Sequence, residues 1–261
     1  MVLGVIGVGK MGGSFVERLV DLEDVERIFL FDKCREKMEK FDKVGKISIC
    51  SNLKELFENS EIVILAVKPQ DFEEVVKDSR ELNKDGKILI STMAGVKIER
   101  IREELGMEKI VRIMPNLAVK YGSSVVGYSL SGVDENERKT VEKILMRFGE
   151  IIEIDEKMFS AFTSIVGSGP AILFVFLESI VDSALRMGFD YKTSRKMAIG
   201  MMEGSIEVAK RTNLHTGELK NMVTSPAGTT IEGIYELEKN GFRGIVMGIF
   251  ASIKRRADEL G

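Results

Sequence analysis

The chain has 261 residues, of which 44% are apolar and 30% are charged, a composition typical of folded soluble proteins rather than of disordered chains. Its 38 basic and 41 acidic side chains give a net charge of −3, which argues against a nucleic-acid-binding protein, because such proteins carry a basic excess. Two cysteines and one histidine are too few for a protein-built metal site or a disulfide framework, so we expect neither.

The N-terminal segment is apolar, but it lacks the basic residues that begin a signal peptide. The longest uninterrupted apolar run, residues 171–177, is too short to cross a bilayer. We therefore expect a reduced, cytoplasmic protein that binds neither a membrane nor a nucleic acid.

Short apolar runs alternate with charged amphipathic stretches through the first half of the chain. The apolar runs are residues 2–6, 28–31, 62–67, 88–90 and 110–114. The amphipathic stretches between them include residues 11–22, 72–82 and 98–105. Buried strands that alternate with helices predict a parallel sheet with helices on both faces. A strand at 121–129, a helix at 134–148 and a strand at 151–154 are predicted to extend this sheet.

Residues 156–261 contain only helical patterns. We therefore predict an α/β protein with an N-terminal Rossmann-type dinucleotide-binding domain over 1–155 and an all-helical C-terminal domain over 156–261. The helix that begins at Pro170 is apolar on every side for its first two turns, so it requires burial all round. This favours a homodimer that forms through the helical domain; a central helix in a monomeric bundle is the alternative.

The segment GVGKMG supplies Gly7, Gly9 and Gly12 in G-x-G-x-x-G spacing, directly after a predicted strand and at the start of a helix. In a dinucleotide site Gly7 makes the tight turn, Gly9 lets the pyrophosphate approach the backbone, and Gly12 lets helix and strand pack together. Asp32 lies at the end of the second predicted strand, where a carboxylate binds the adenosine ribose hydroxyls. A glycine-rich turn without a nucleotide is the alternative.

Asp32 favours NADH over NADPH, because two like charges about 4 Å apart repel each other by roughly 4 kcal/mol at an effective dielectric constant near 20. Lys33 and Arg35 follow it and could instead bind the 2′-phosphate, which keeps NADPH open. Lys68 follows the third predicted strand, where it either approaches the ribose or nicotinamide or is simply solvated.

Small or rigid uncharged residues at 225–228 precede a helical pattern. Thr229 and Glu232 have the spacing of a capping box, and an open helix N-terminus attracts anions. We interpret this segment as a site for a substrate carboxylate at a capped helix end; capping alone is the alternative. The single histidine, His215, lies in a probable turn that enters another helix, where a capping or packing role is more typical than acid catalysis.

The segments GVGKMG, LAVKPQ, STMAGV, RIMPN, GSGPA and HTGELKNMVTSPAGTT together resemble the pyrroline-5-carboxylate reductase family over almost the whole chain. The resemblance implies a Rossmann domain followed by a helical dimerisation domain, in some members assembled into larger rings of dimers. It also implies hydride transfer from NADH or NADPH to the C=N carbon of pyrroline-5-carboxylate, the last step of proline biosynthesis.

By position, the resemblance assigns substrate binding to Ser225, Gly228, Thr229 and Thr230, with the catalytic Thr230 hydroxyl near the ring nitrogen. It assigns cofactor binding to Gly7, Val8, Gly9, Lys10, Met11, Gly12, Asp32, Ala66, Val67, Lys68, Pro69, Met93 and Ala94. The sequence departs from the family's usual pattern at Leu117, Ala118, Ile172, Thr216 and Ala227. These departures leave the choice of substrate open.

Three other functions compete with this interpretation. A 3-hydroxyacid dehydrogenase-like enzyme needs a lysine on the long helix after its Rossmann domain to protonate an alkoxide, but residues 158–185 contain neither Lys nor Arg. Another imine reductase would share the chemistry on a different substrate. A non-catalytic dinucleotide sensor would need no second anion site at 225–230.

Overall fold

The computed structural model describes residues 1–260. The strands are β1 Val2–Ile6, β2 Arg27–Phe31, β3 Ile47–Ile49, β4 Ile62–Leu65, β5 Ile88–Ser91, β6 Lys109–Met114, β7 Ser124–Ser131 and β8 Gly149–Glu153. The helices are α1 Lys10–Leu19, α2 Leu53–Asn59, α3 Phe72–Ser79, α4 Ile98–Leu105, α5 Glu135–Leu145, α6 Phe159–Phe162, α7 Gly169–Arg186, α8 Tyr191–Arg211, α9 Thr216–Met222, α10 Thr229–Lys239 and α11 Phe242–Leu260.

All strands belong to one sheet in the order β3-β2-β1-β4-β5-β6-β7-β8. Neighbouring strands are parallel except β6 and β7, which are antiparallel. The chain goes from β1 through β2 to the β3 edge and returns on the other side of β1 at β4, so the strand order reverses between β1 and β4. Open α/β sheets bind ligands outside the carboxyl ends of the strands at such a reversal. The predicted α/β fold class and its extension by β7, α5 and β8 are confirmed.

The sheet is covered by an apolar core on each face. In β4, Ile62 and Ile64 belong to the core that includes α1, whereas Val63 and Leu65 belong to the core that includes α2 and α3. Successive side chains of a strand point to opposite faces, so these cores lie on opposite sides of the sheet. All four residues of β4 are buried, as expected for a strand covered on both faces.

Packing divides the chain into two compact units, Met1–Ser168 together with the chain from Ile253 onward, and Gly169–Ser252. The second unit contains only helices, and its buried residues are Val181, Ser194 and Ala198. Most of its apolar surface is therefore exposed in a single chain. The division between residues 155 and 156 stays a prediction.

Helix α7 carries four consecutive large apolar side chains that are exposed in the single chain. They are Leu173, Phe174, Val175 and Phe176. The helical stretch Glu156–Arg186 is long and apolar enough to cross a membrane by length and mean hydropathy alone. Only 11% of its most apolar 18-residue segment is buried in the single chain. The apolar run that seemed too short in the sequence is thus part of a longer apolar helix, and such a helix needs a second apolar surface to cover it.

Two elements were not predicted, the edge strand β3 and helix α2. β3 has three residues, all half-buried, so it is too short to display a period of two. Asn52 is the N-cap of helix α2, and its side chain accepts a hydrogen bond from the Glu55 N–H at 2.9 Å. This N-cap signal was available in the sequence, but the helix spans only seven residues.

Candidate functional site

The turn after β1 depends on two glycines. Gly7 has a φ of +89°, and a Cβ built there would lie 2.8 Å from the carbonyl oxygen of Ala66. A Cβ at Gly12 would overlap the carbonyl oxygen of Gly7. Only glycine satisfies both conditions, because it tolerates positive φ and has no side chain. The turn therefore has the tight geometry that the G-x-G-x-x-G spacing predicts.

The third glycine, Gly9, has open space where the others have close neighbours. No atom lies within 4 Å of a Cβ built at Gly9. Gly9 is the N-cap of α1. Because glycine has no side chain, it does not cap the amides of Lys10 and Met11 at the start of the helix. An uncapped helix N-terminus beside open backbone fits a pyrophosphate, which the amides and the helix dipole attract.

Asp32 lies at the end of β2 and its carboxylate is bonded on both oxygens. Oδ2 accepts the N–H of Val8 in the glycine turn at 2.8 Å, and Oδ1 accepts the N–H of Cys34 at 2.9 Å. The ammonium of Lys37 donates to the same two oxygens at 3.0 and 3.3 Å. The Asp32 side chain is only 5% exposed. The carboxylate therefore holds the glycine turn to the end of β2, and the contact of Asp32 with the ribose stays a prediction.

The basic residues after Asp32 have different surroundings. The Lys33 ammonium donates to Asp71 at 2.6 Å and to Glu74 at 3.4 Å, and these bonds raise the pKa of Lys33. Arg35 is exposed and, within residues 1–260, forms no salt bridge. The sequence gives no sign of the contact between Lys37 and Asp32, since nothing in the pattern indicates that Lys37, and not Lys33, lies beside this carboxylate.

A cavity of about 140 Å³ joins the glycine turn, the end of β2 and the end of β4. Among the predicted cofactor residues, Gly7, Gly9, Asp32, Val67 and Lys68 line it. Ala66 adjoins the turn, since its N–H donates to the carbonyl of Ile6 at 2.8 Å. These residues come from separate stretches of the chain, and the fold brings them together at the reversal of the strand order.

A second, larger cavity of about 1000 Å³ lies in the same unit, and Pro69 and Ala94 line it. Arg112 of β6 also faces this cavity and is almost fully buried; it donates to Glu156 at 2.9 Å and stacks on Phe159. The predicted cofactor residue Met93 is buried in the apolar core with 1% exposure, unlike its exposed neighbour Ala94.

The segment 225–230 is an exposed turn that leads into α10. Gly228 is the N-cap of α10 and provides no side-chain bond to the first amides. Its N–H donates to the carbonyl of Ser225 at 3.2 Å, which closes the turn. Ser225, Thr229 and Thr230 are exposed. The first amides of the helix thus have no side-chain cap, and three exposed hydroxyl-bearing residues lie beside them in sequence, an arrangement that suits a carboxylate.

The predicted capping box at the start of α10 is wrong. Thr229 is the first helical residue and not the N-cap, which is Gly228. In a capping box the threonine is itself the N-cap residue and has an extended conformation. Thr229 and Glu232 have the right spacing, but both lie one position too far into the helix. The helix end is open rather than closed by its own side chains.

Ala227 in the same turn has a φ of +55°, a left-handed conformation that L side chains rarely adopt. A glycine at this position would carry no such cost. The departure at Ala227 is therefore accompanied by backbone strain next to the open helix end.

The remaining reactive side chains have structural surroundings. His215 is the N-cap of α9, and its Nδ1 accepts the N–H of Gly217 at 3.1 Å, so its expected capping role is confirmed. Both cysteines are free thiols; Cys34 is half-buried, whereas burial raises the pKa of Cys50 to about 12. Residues 1–260 contain no group of three or more His, Cys, Asp or Glu side chains that could hold a metal.

Comparisons with known proteins cover both halves of the chain. Residues 156–260 match the family model for pyrroline-5-carboxylate reductase dimerisation, and residues 2–95 match the model for coenzyme F420-dependent NADP oxidoreductases. The pyrroline-5-carboxylate reductase of Aquifex aeolicus is 38% identical, over 100% of this chain and 97% of its own length. The Pisum sativum reductase is 32% identical, over 99% and 95%.

The fold is also that of solved relatives. The crystal structure of Plasmodium falciparum pyrroline carboxylate reductase with NADP bound superposes with a TM-score of 0.89 at 29% identity, covering 100% of this chain and 98% of that one. The match at 38% identity extends over the full chain, and the dimerisation model covers the helices whose apolar faces a single chain leaves exposed. The chain therefore belongs to the pyrroline-5-carboxylate reductase family.

Proposed function

We propose that this protein reduces the C=N bond of 1-pyrroline-5-carboxylate to give L-proline, with NADH or NADPH as the reductant. The observation that carries the proposal is the open start of α10 behind the exposed turn 225–230, in a chain that matches reductases from end to end. A dehydrogenase with a general-acid lysine or a sensor without a second ligand gives no reason for this second anion site.

The substrate end of the site supplies hydrogen-bond donors without positive side chains. Residues 222–231 contain neither Lys nor Arg. The amides at the start of α10 and the hydroxyls of Ser225 and Thr230 bind the substrate carboxylate, and the Thr230 hydroxyl lies near the ring nitrogen. A protonated imine already accepts hydride readily, so a nearby lysine would only disfavour the iminium by charge repulsion. The work of the site is therefore binding and orientation.

The cofactor end of the site is the glycine turn and the cavity beside it. A bound reduced nicotinamide dinucleotide supplies the hydride. The amides at the start of α1 and the open backbone at Gly9 hold the pyrophosphate, Asp32 lies at the adenosine ribose, and Val67 and Lys68 follow β4 toward the nicotinamide. These roles come from the family resemblance and are supported by the fold.

Between the two coenzymes, we propose that NADH is preferred. The cavity at the adenosine end is lined by four carboxylates, those of Asp32, Asp71, Glu74 and Asp78. Three lysines, Lys33, Lys37 and Lys68, line the same cavity. The small excess of negative charge disfavours the 2′-phosphate of NADPH, although it does not forbid it.

A direct spectrophotometric assay with product analysis tests the proposal. The purified full-length protein is mixed with pyrroline-5-carboxylate and either NADH or NADPH; we expect loss of the reduced-nicotinamide absorbance and formation of L-proline, measured by mass spectrometry. Binding of dinucleotide without any turnover would favour a sensor. Oxidation of a 3-hydroxyacid with NAD⁺, or reduction of other cyclic imines but not of this one, would replace the proposed substrate.

The exposed apolar helices indicate the form in which the enzyme works. A second copy that covers α7 and its neighbours forms the homodimer, and a larger ring of dimers is a further expectation that light scattering would test. Two free thiols fit a reduced compartment, and we propose a cytoplasmic location.

A further inference from the structure

The acceptor capacity of Asp32 is almost entirely used inside the protein. Each carboxylate oxygen accepts one backbone N–H, from Val8 and Cys34, and both face the Lys37 ammonium within 3.3 Å. With 5% of its side chain exposed, Asp32 presents little free charge to a ligand. The repulsion that an isolated carboxylate would exert on a 2′-phosphate is therefore largely cancelled by Lys37.

Lys37 itself lines the cavity beside the glycine turn, and its side chain is 45% exposed. The Lys37 ammonium has three N–H donors, and its contacts to Asp32 leave at least one of them free to bind a ligand. Lys33 lines the same cavity, but its ammonium is paired with two carboxylates, those of Asp71 and Glu74. Arg35 is not among the residues that line the cavity.

We infer that Lys37 is the residue that determines whether this chain accepts a 2′-phosphorylated dinucleotide. This inference rests on the proposed function, because it concerns the coenzyme of that site. Lys37 acts in two ways: it neutralises Asp32, and it offers a charge-assisted hydrogen bond to the 2′-phosphate at the adenosine ribose. Binding of NADH, which lacks that phosphate, does not need the ammonium.

The test compares two substitutions that remove the same charge from the same cavity. Lys37→Met should weaken binding of NADPH, and of adenosine 2′,5′-bisphosphate as a probe without nicotinamide, by about tenfold or more. Binding of NADH and AMP should stay within about threefold. Lys33→Met, the matched control, should change the NADPH affinity by less than about threefold, since the Lys33 ammonium is paired with two carboxylates, those of Asp71 and Glu74, and not with Asp32. Lys37→Arg should retain NADPH binding. Titration calorimetry measures all four ligands.

Equal losses for Lys33→Met and Lys37→Met would overturn the inference, since they would show a general charge effect. Equal losses of NADH and NADPH on Lys37→Met, with an unchanged thermal midpoint, would also overturn it. Kinetics separate this failure from failure of the proposed function: in the latter case neither coenzyme is oxidised by the unmodified protein with pyrroline-5-carboxylate.

Discussion

Gly12 lies so close to Gly7 that any side chain at position 12 would occupy the place of the Gly7 carbonyl oxygen. Gly9, between them in sequence, has no neighbour within 4 Å in the corresponding direction. Two glycines of one motif thus have different surroundings: packing of the protein requires Gly12, whereas we propose that Gly9 leaves room for the pyrophosphate.

The first prediction uses this contrast. Gly12→Ala should lower the free energy of unfolding by about 3 kcal/mol, because the methyl group cannot be accommodated without moving backbone. Gly9→Ala should cost less than about 1 kcal/mol, since its φ of −72° suits alanine, yet weaken NADH binding at least tenfold. Thermal unfolding and dinucleotide titration measure the two effects. Retention of full NADH affinity by Gly9→Ala would remove the pyrophosphate from this turn.

The second prediction concerns the substrate end of the site. Thr230→Val removes a hydroxyl but keeps the shape, so it should lower kcat/KM for pyrroline-5-carboxylate by about tenfold, the effect of one hydrogen bond. Binding of NADH should not change. Thr224→Val is the matched control, because the Thr224 hydroxyl already donates to the Lys220 carbonyl at 2.7 Å. Identical kinetics for the two variants would exclude Thr230 from the site.

The third prediction concerns the strained turn. Ala227→Gly removes the strain of a left-handed alanine, which costs about 1–2 kcal/mol. The greater conformational freedom of glycine in the unfolded chain offsets part of this gain. We expect a rise of about 2 °C in the thermal midpoint. Ala209→Gly, at an exposed position inside α8, should lower the midpoint instead. A fall for both variants would mean that Ala227 carries no strain.

The fourth prediction is a pH dependence. The hydroxyl of Tyr128 donates to Glu142 at 2.6 Å and the guanidinium of Arg138 donates to it at 2.8 Å, which lowers the pKa of Glu142 below its ordinary 4.5. A lowered folded-state pKa means that the ionised group contributes stability above the unfolded pKa and loses it as the pH falls through the folded pKa. Relative to Glu142→Gln, the unmodified protein should therefore melt a few degrees higher at pH 7, and the difference should shrink below about pH 4.5. A constant difference from pH 7 to pH 3 would contradict this assignment.

The sequence predicts most of the fold because the central strands are buried on both faces and read as apolar runs between amphipathic helices. It fails where the local pattern is short. β3 has three residues at the sheet edge, and β7 begins at Ser124 rather than at residue 121 because Asn116 caps a helical turn over Leu117–Tyr121. Tertiary pairing and a side-chain cap decide these boundaries, and neither leaves a periodic signal.

At the site, residue types and spacing predict the glycine turn and the segment before α10, but not the orientation of side chains. The predicted capping box does not form, since the extended N-cap conformation belongs to Gly228, which has no side chain. The bonds of Asp32 to Val8 and Lys37 likewise depend on where β2 ends beside the glycine turn. Charge patterns alone do not reveal which lysine folds back onto which carboxylate.

The unequal surroundings of the two thiols make this protein suitable for site-selective labelling. Because burial raises the pKa of Cys50 to about 12, that sulfur stays protonated at neutral pH and resists alkylation. The N–H of half-buried Cys34 donates to Asp32 at 2.9 Å, so a fluorophore attached through maleimide at Cys34 would lie near the cavity that Asp32 lines, without any engineered cysteine.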